Sequence, residues 1–198
     1  MLSNERRRGF DLSALWFLVA VNVILFVFTS LEPDLIVRLG LQPASFTSEP
    51  WTILTSLFIH ANFAHIFGNM ITLYFFGTYL SMLVGERYFL ITYFIGGLLG
   101  NAFLLIYELY APWGNPYVIG IGASGAIFAL GGALAVLRPM ARVYLFFVIP
   151  LPLWVGVIGG FLIMSLIPNV SWQAHLGGLV LGLIAGYFFR ERQRPLRL

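Results

Sequence analysis

The chain has 198 residues, of which 60% are hydrophobic and only 10% charged, with a mean hydropathy of +0.90 and a formal net charge of +3. A soluble domain carries about 25% charged residues, so lipid must cover much of this surface. With no cysteine in the chain, disulfides, thiolate catalysis and Cys-ligated zinc are excluded, and arginines confined to the chain ends and short connections form no nucleic-acid surface.

A helix needs roughly 20 apolar residues to cross about 30 Å of hydrocarbon. Residues 1–11, with Arg6, Arg7 and Arg8, are expected to form a cytoplasmic N-terminal segment. The apolar run that follows is too long for a signal-peptide core and lacks a small-residue cleavage site, so it reads as a retained span, Leu12 to Ser30. Residues 31–63 form a long first connection. They mix charges with Leu35, Ile36, Leu39, Trp51 and Phe58, and are expected to lie partly in the membrane interface as short amphipathic pieces. Loops of this length are usually functional.

The uncharged stretch Trp51 to Gly85 is too long for one crossing. Its C-terminal part, about Ala64 to Leu83, is the better helix, and Glu86 and Arg87 end it. Tyr88 to Tyr107 is span 3, Ala111 to Gly120 is a Pro/Gly-containing loop, and span 4 runs from about Gly122 to Leu137. No charge occurs between Arg142 and Arg190, which leaves room for two crossings. Tyr144 to Val148 is expected to run extended. Pro150 and Pro152 suit the first turn of span 5, where proline is tolerated. Pro168 and Asn169 end that span, and span 6 is about Trp172 to Phe189. The fold class is thus all-α: a polytopic membrane protein with six transmembrane helices over 12–189, a membrane-associated first loop, and a basic cytoplasmic tail over 190–198.

Arginine placement tests the count. If six spans alternate, Arg6, Arg7, Arg8, Arg87, Arg138, Arg142, Arg190, Arg192, Arg194 and Arg197 fall on one side and only Arg38 opposite. The positive-inside rule expects such a split. Both termini are therefore expected to be cytoplasmic, in a plasma (inner) membrane.

Polar side chains at membrane depth are costly and so are functional candidates by default. In this topology spans 2, 4 and 6 run in the same direction. His60, His65 and His175 lie at or just before the outer ends of spans 2 and 6, and Ser124, within Gly122-Ala123-Ser124-Gly125, lies at the outer end of span 4. A serine hydroxyl becomes a nucleophile when a neighbouring base takes its proton, and histidine has a suitable pKa. Ser124 N–H is one candidate donor to an oxyanion. His65 and Asn69, at i and i+4 on one helix face, are two more. No carboxylate sits at this depth to complete a triad, so a dyad is expected. Three histidines without a carboxylate, and without an HExxH pattern, argue against a metal site, and no cofactor is expected.

The motifs His60-x4-His65-x3-Asn69, Gly122-Ala123-Ser124-Gly125 and Ala174-His175-Leu176-Gly177-Gly178-x3-Gly182 occur in this order on spans 2, 4 and 6. Together they resemble the rhomboid family of intramembrane serine proteases over about Leu12 to Phe189. The resemblance implies Ser124 as nucleophile and His175 as general base. It implies an oxyanion site from His65, Asn69 and the Ser124 backbone, with Gly122 in the tight approach to span 4. His60 is implied to be more structural than chemical, and Gly178 and Gly182 to pack span 6 on span 4. Span 5 and the loop Pro168 to Gln173 resemble a substrate gate and cap. Phe128 stands where the family often has a tyrosine, so the base keeps a ring to stack on and loses a hydroxyl contact. The implied substrates are transmembrane proteins cut near the outer edge of their spans, with a small residue before the cut and a segment that unwinds easily. Activity is expected to fall as His175 protonates. The alternative is a catalytically inactive rhomboid-like protein that binds or escorts clients. A transporter is disfavoured because neither half-repeats nor intramembrane carboxylates are visible.

Overall fold

The computed structural model describes residues 12–145 and 148–193. The expected N-terminal segment 1–11 and the tail residues 194–198 lie outside them. Among the described residues the helices are α1 (Ser13–Leu31), α2 (Asp34–Leu39), α3 (Thr52–Thr55), α4 (Phe63–Val84), α5 (Glu86–Tyr110), α6 (Ser124–Leu137), α7 (Leu153–Ser165) and α8 (Trp172–Gln193). Strands β1 (Arg142–Leu145) and β2 (Ile149–Pro152) separate α6 from α7. Four helices, α1, α4, α5 and α8, are long and apolar enough to cross a membrane. Helices α6 and α7 are apolar but have 14 and 13 residues, which rise about 20 Å at 1.5 Å each.

The charged pair after α4 does more than end a span. Gly85 takes φ +89, which favours glycine, and closes α4. Glu86 then starts α5 and turns its carboxylate onto the start of α1. It accepts the Ala14 N–H at 2.7 Å and the Ser13 hydroxyl at 3.4 Å. A negative group is favoured there because the first turn of a helix has unpaired N–H donors.

Helix α6 is the centre of the bundle. Eleven of its 14 residues are buried, and it touches α4, α5, α7 and α8. Its small residues allow this crowding. A Cβ on Gly178 would overlap the carbonyl oxygen of Gly125, and one on Gly182 that of Ala129. A Cβ on Gly186 would lie 2.7 Å from the oxygen of Ala133. Three successive glycines of α8 thus lie backbone to backbone along α6, the close approach that small residues permit in membranes. Helix α7, by contrast, buries only Leu153 and Val157 and lies at the edge.

The all-α expectation is corrected at one place. Residues 142–152 form an antiparallel hairpin, with Arg142 opposite Pro152 and Leu145 opposite Ile149. Tyr144 is extended as expected, but Pro150 pairs within β2 and is not in the first turn of α7, which Pro152 precedes. A two-stranded ribbon has only edges, so a proline that cannot donate is tolerated there. The first connection contains α2, α3 and two single 3-10 turns, Pro43–Ser45 and Ser56–Phe58. It is tied to the loop before α6 by a two-way backbone pairing of Leu41 with Gly120, at 2.9 and 2.8 Å.

Candidate active site

The first turns of α4, α6 and α8 converge. Asn62 fixes where α4 starts, since its side-chain oxygen accepts the His65 N–H at 2.9 Å, an N-cap contact. His65 and Asn69 then lie one turn apart. Gly122, two residues before α6, takes φ +111, a conformation that an L side chain rarely adopts. A Cβ there would stand 2.7 Å from His65 Nε2 and 3.5 Å from Asn69 Nδ2. Glycine therefore leaves the room in which these two side chains meet the start of α6.

Ser124 is the first residue of α6, and Ala123 before it supplies no side-chain cap. The first N–H groups of that helix have no intrahelical acceptor, so they stay available to a developing negative charge. Ser124 Oγ lies 2.8 Å from His175 Nε2. His175 comes from the first turn of α8 and is buried. Its ring leans on Phe128, with centroids 4.7 Å apart at 37°, and Phe128 in turn meets Phe161 of α7 edge-on at 6.0 Å. His175 Nδ1 is buried without a hydrogen-bond partner, so no carboxylate orients the imidazole. The amide nitrogen of Asn69 is likewise buried and unpartnered.

His60 lies outside the helices, with its ring edge-on to His65 at 4.9 Å. Burial, and then the neighbouring His65, push its pKa from 6.5 down to about 3, while a contact to the Phe58 backbone acts the other way. Gly178 and Gly182 stand on the α6 side of α8, where they set how closely His175 approaches Ser124. No group of three or more His, Asp or Glu side chains that could hold a metal occurs among the described residues.

A Rhomboid domain model matches residues 47–192. This chain belongs to the rhomboid family. It is 38% identical over 152 residues to RHOMBOID-like protein 12, mitochondrial, of Arabidopsis thaliana, covering 68% of this chain and 45% of that protein. It is 32% identical over 158 residues to Rhomboid protein 1, mitochondrial, of Saccharomyces cerevisiae, covering 74% and 45%. Rhomboid protease GluP of Bacillus subtilis is 25% identical over 177 residues, covering 86% and 33%. The matched part is thus less than half the length of each of these relatives.

Two partners at the rhomboid site, the Ser56 carbonyl and the Gln173 side chain, have no signal in the sequence. The Gly122 N–H is committed to the Ser56 carbonyl at 2.8 Å, so Gly122 contributes space and not a donor. Glu108, near the C-terminal end of α5, accepts the Gln173 side-chain amide at 2.8 Å and the Asn115 N–H at 2.7 Å. It thereby holds the α5–α6 loop to the start of α8, two residues before His175. Its signal was a carboxylate at the end of an otherwise uncharged span. Asn101, a buried amide in the middle of the same helix, carries a related signal, since a polar side chain within an apolar span is costly, and is treated below.

Proposed function

We propose that this rhomboid is an intramembrane serine endopeptidase that cuts peptide bonds in or near the transmembrane segments of other membrane proteins. The observation that carries the reading is the 2.8 Å contact between Ser124 Oγ and His175 Nε2. His175 takes the hydroxyl proton as Ser124 attacks the carbonyl, and returns it to the leaving amine. The oxyanion is held by the Ser124 N–H and by donors from His65 and Asn69. Gly122 gives these donors room, and Phe128 supports the face of His175. No cofactor or metal takes part. The name of the relative GluP, a rhomboid protease, supports the same class.

In this reading α6 and α7 complete a six-span bundle with α1, α4, α5 and α8, and the first connection is a membrane-associated element. The arginine bias supports termini on the cytoplasmic side, as in a plasma (inner) membrane, although the bias itself sets orientation and not which membrane holds the chain. The protease domain is assigned to 12–189, between a cytoplasmic N-terminal segment 1–11 and a basic tail 190–198. Substrates are single spans cut near the outer edge. Because spans are hydrogen-bonded internally, glycine or proline in the substrate lowers the cost of opening the helix.

A fluorophosphonate probe on the purified protein in detergent tests the reading. Labelling and cleavage of a model span are expected for the unaltered chain, and both are lost in Ser124→Ala and His175→Ala. Labelling that persists in Ser124→Ala removes the nucleophile assignment.

A further inference from the structure

The geometry points to Asn101 and Ser56 as positioning residues that set the oxyanion pocket through Gly122, an inference that rests on the protease reading above. Asn101 is a buried residue of α5. Its side-chain amide nitrogen donates twice, to the carbonyl of Ile53 at 2.7 Å and to Ser56 Oγ at 2.9 Å. Both acceptors belong to the stretch of the first connection formed by α3 and the 3-10 turn after it. The Ser56 carbonyl then accepts the Gly122 N–H at 2.8 Å. A hydrogen-bonded chain therefore runs from α5, through the first connection, to the residue two before Ser124.

The geometry of Gly122 makes this chain consequential. At φ +111 its peptide is held in an orientation that the chain does not adopt by default. Its Cα faces His65 and Asn69 closely enough that a methyl group would touch the imidazole. A rotation of this peptide would both crowd those side chains and re-aim the amides that follow, including that of Ser124. Ser56 supplies the one backbone acceptor of the Gly122 N–H, and Ser56 is fixed by Asn101.

A second contact supports the same docking. Gly97 lies one turn before Asn101 on α5, and a Cβ there would come within 2.8 Å of Leu57. Leu57 is itself buried. Gly97 and Asn101 thus form one seat on α5, with an apolar half for Leu57 and a polar half for Ile53 and Ser56. The remaining side-chain bonds of the segment stay within the first connection: Thr52 to Glu49 at 2.6 Å and Thr55 to Leu39 at 2.7 Å. Among the described residues, Asn101 is therefore its side-chain hydrogen-bonding anchor to the bundle.

The test compares the unaltered chain with Asn101→Leu, which keeps the branched heavy-atom skeleton and removes both donated bonds, and with Ser56→Ala, which removes one acceptor and keeps the backbone carbonyl. Asn101→Leu is expected to lower kcat on a model span by 10- to 100-fold while KM changes less than twofold. Amide exchange over residues 119–124 is expected to rise at least fivefold, with exchange in α4 and α8 unchanged. Ser56→Ala is expected to lower kcat three- to tenfold, and it serves as the deciding variant if Asn101→Leu does not fold. Unchanged kcat and unchanged exchange over 119–124 in a folded variant would overturn the inference. So would a rise in KM with kcat intact. An unaltered chain that neither labels nor cleaves would instead sink the protease reading, and the exchange measurement would still decide whether Asn101 holds Gly122 in place.

Discussion

Asn69 keeps a buried amide nitrogen without a partner. Leaving such a donor unmade costs about 1–3 kcal/mol, a cost that makes sense if the bond is completed only when an oxyanion forms. Asn69→Ala removes the orphan along with the donor. Its thermal midpoint in detergent is therefore expected to stay level or rise, while kcat falls about 100- to 1,000-fold, as for loss of one oxyanion donor. A large drop in the midpoint with kcat preserved would make Asn69 a structural clasp. His60 carries a prediction of opposite kind. Its folded pKa lies near 3 against 6.5 for an ordinary histidine. Below pH 6.5 the unfolded chain takes a proton that the folded one refuses. Stability is then lost with falling pH by up to about 1.4 kcal/mol per unit until the folded pKa is reached. His60→Phe keeps a ring against His65 and is expected to flatten that slope between pH 6.5 and 4, read from thermal midpoints. Ser124, His175, His65 and Asn69 were legible in the sequence because polar residues stand out in uncharged spans. The partner of Gly122 was not, since a backbone carbonyl such as that of Ser56 has no sequence signature.

At the scale of elements, the close pairing of α6 with α8 decides whether Ser124 and His175 meet. His175 lies one turn before Gly178, whose missing Cβ leaves room for the Gly125 carbonyl. Gly178→Ala forces α8 outward. It is expected to cost about 1–3 kcal/mol as overpacking and to reduce fluorophosphonate labelling by at least tenfold. Gly160, in the peripheral α7, has nothing within 4 Å of its Cβ position. Gly160→Ala is expected to raise stability by about 0.5–1 kcal/mol through helix propensity alone. Equal effects at the two glycines would show that α6–α8 contact is not what positions the base. The helices were readable to within a few residues from charge and hydropathy, as with α4 at Phe63–Val84. The hairpin was not, because β pairing depends on a partner strand more than on local preference. The proline pattern at Pro150 and Pro152 fits a helix entry as well as an edge strand. The Gln173–Glu108 contact was hidden for a related reason, since it joins residues 65 positions apart.

For the whole molecule, the decisive question is whether the short central helix crosses the membrane. Alternating spans would put the N-termini of α4, α6 and α8 on one face. In the fold they do share a corner, through the Ser124–His175 contact and the closeness of Gly122 to His65. Yet α6 spans only about 21 Å by its 14 residues, against about 30 Å of hydrocarbon. If α6 crosses, the deficit falls at its ends, and Ser124 lies below the outer headgroups where water must reach it through the protein. The chain has no cysteine, so single introduced cysteines report alone. Trp113 and Met140 flank α6 and are 85% and 71% exposed, and Leu166, just after α7, is 84% exposed. In cells expressing each variant, an impermeant maleimide is expected to label Trp113→Cys and Leu166→Cys directly, and Met140→Cys only after permeabilisation. That pattern requires both α6 and α7 to cross, which completes six spans and puts the arginine-rich connections inside. Labelling of Trp113→Cys and Met140→Cys from the same side would make α6 a re-entrant helix, and a shared outer face for the three converging N-termini would then need another explanation than alternation.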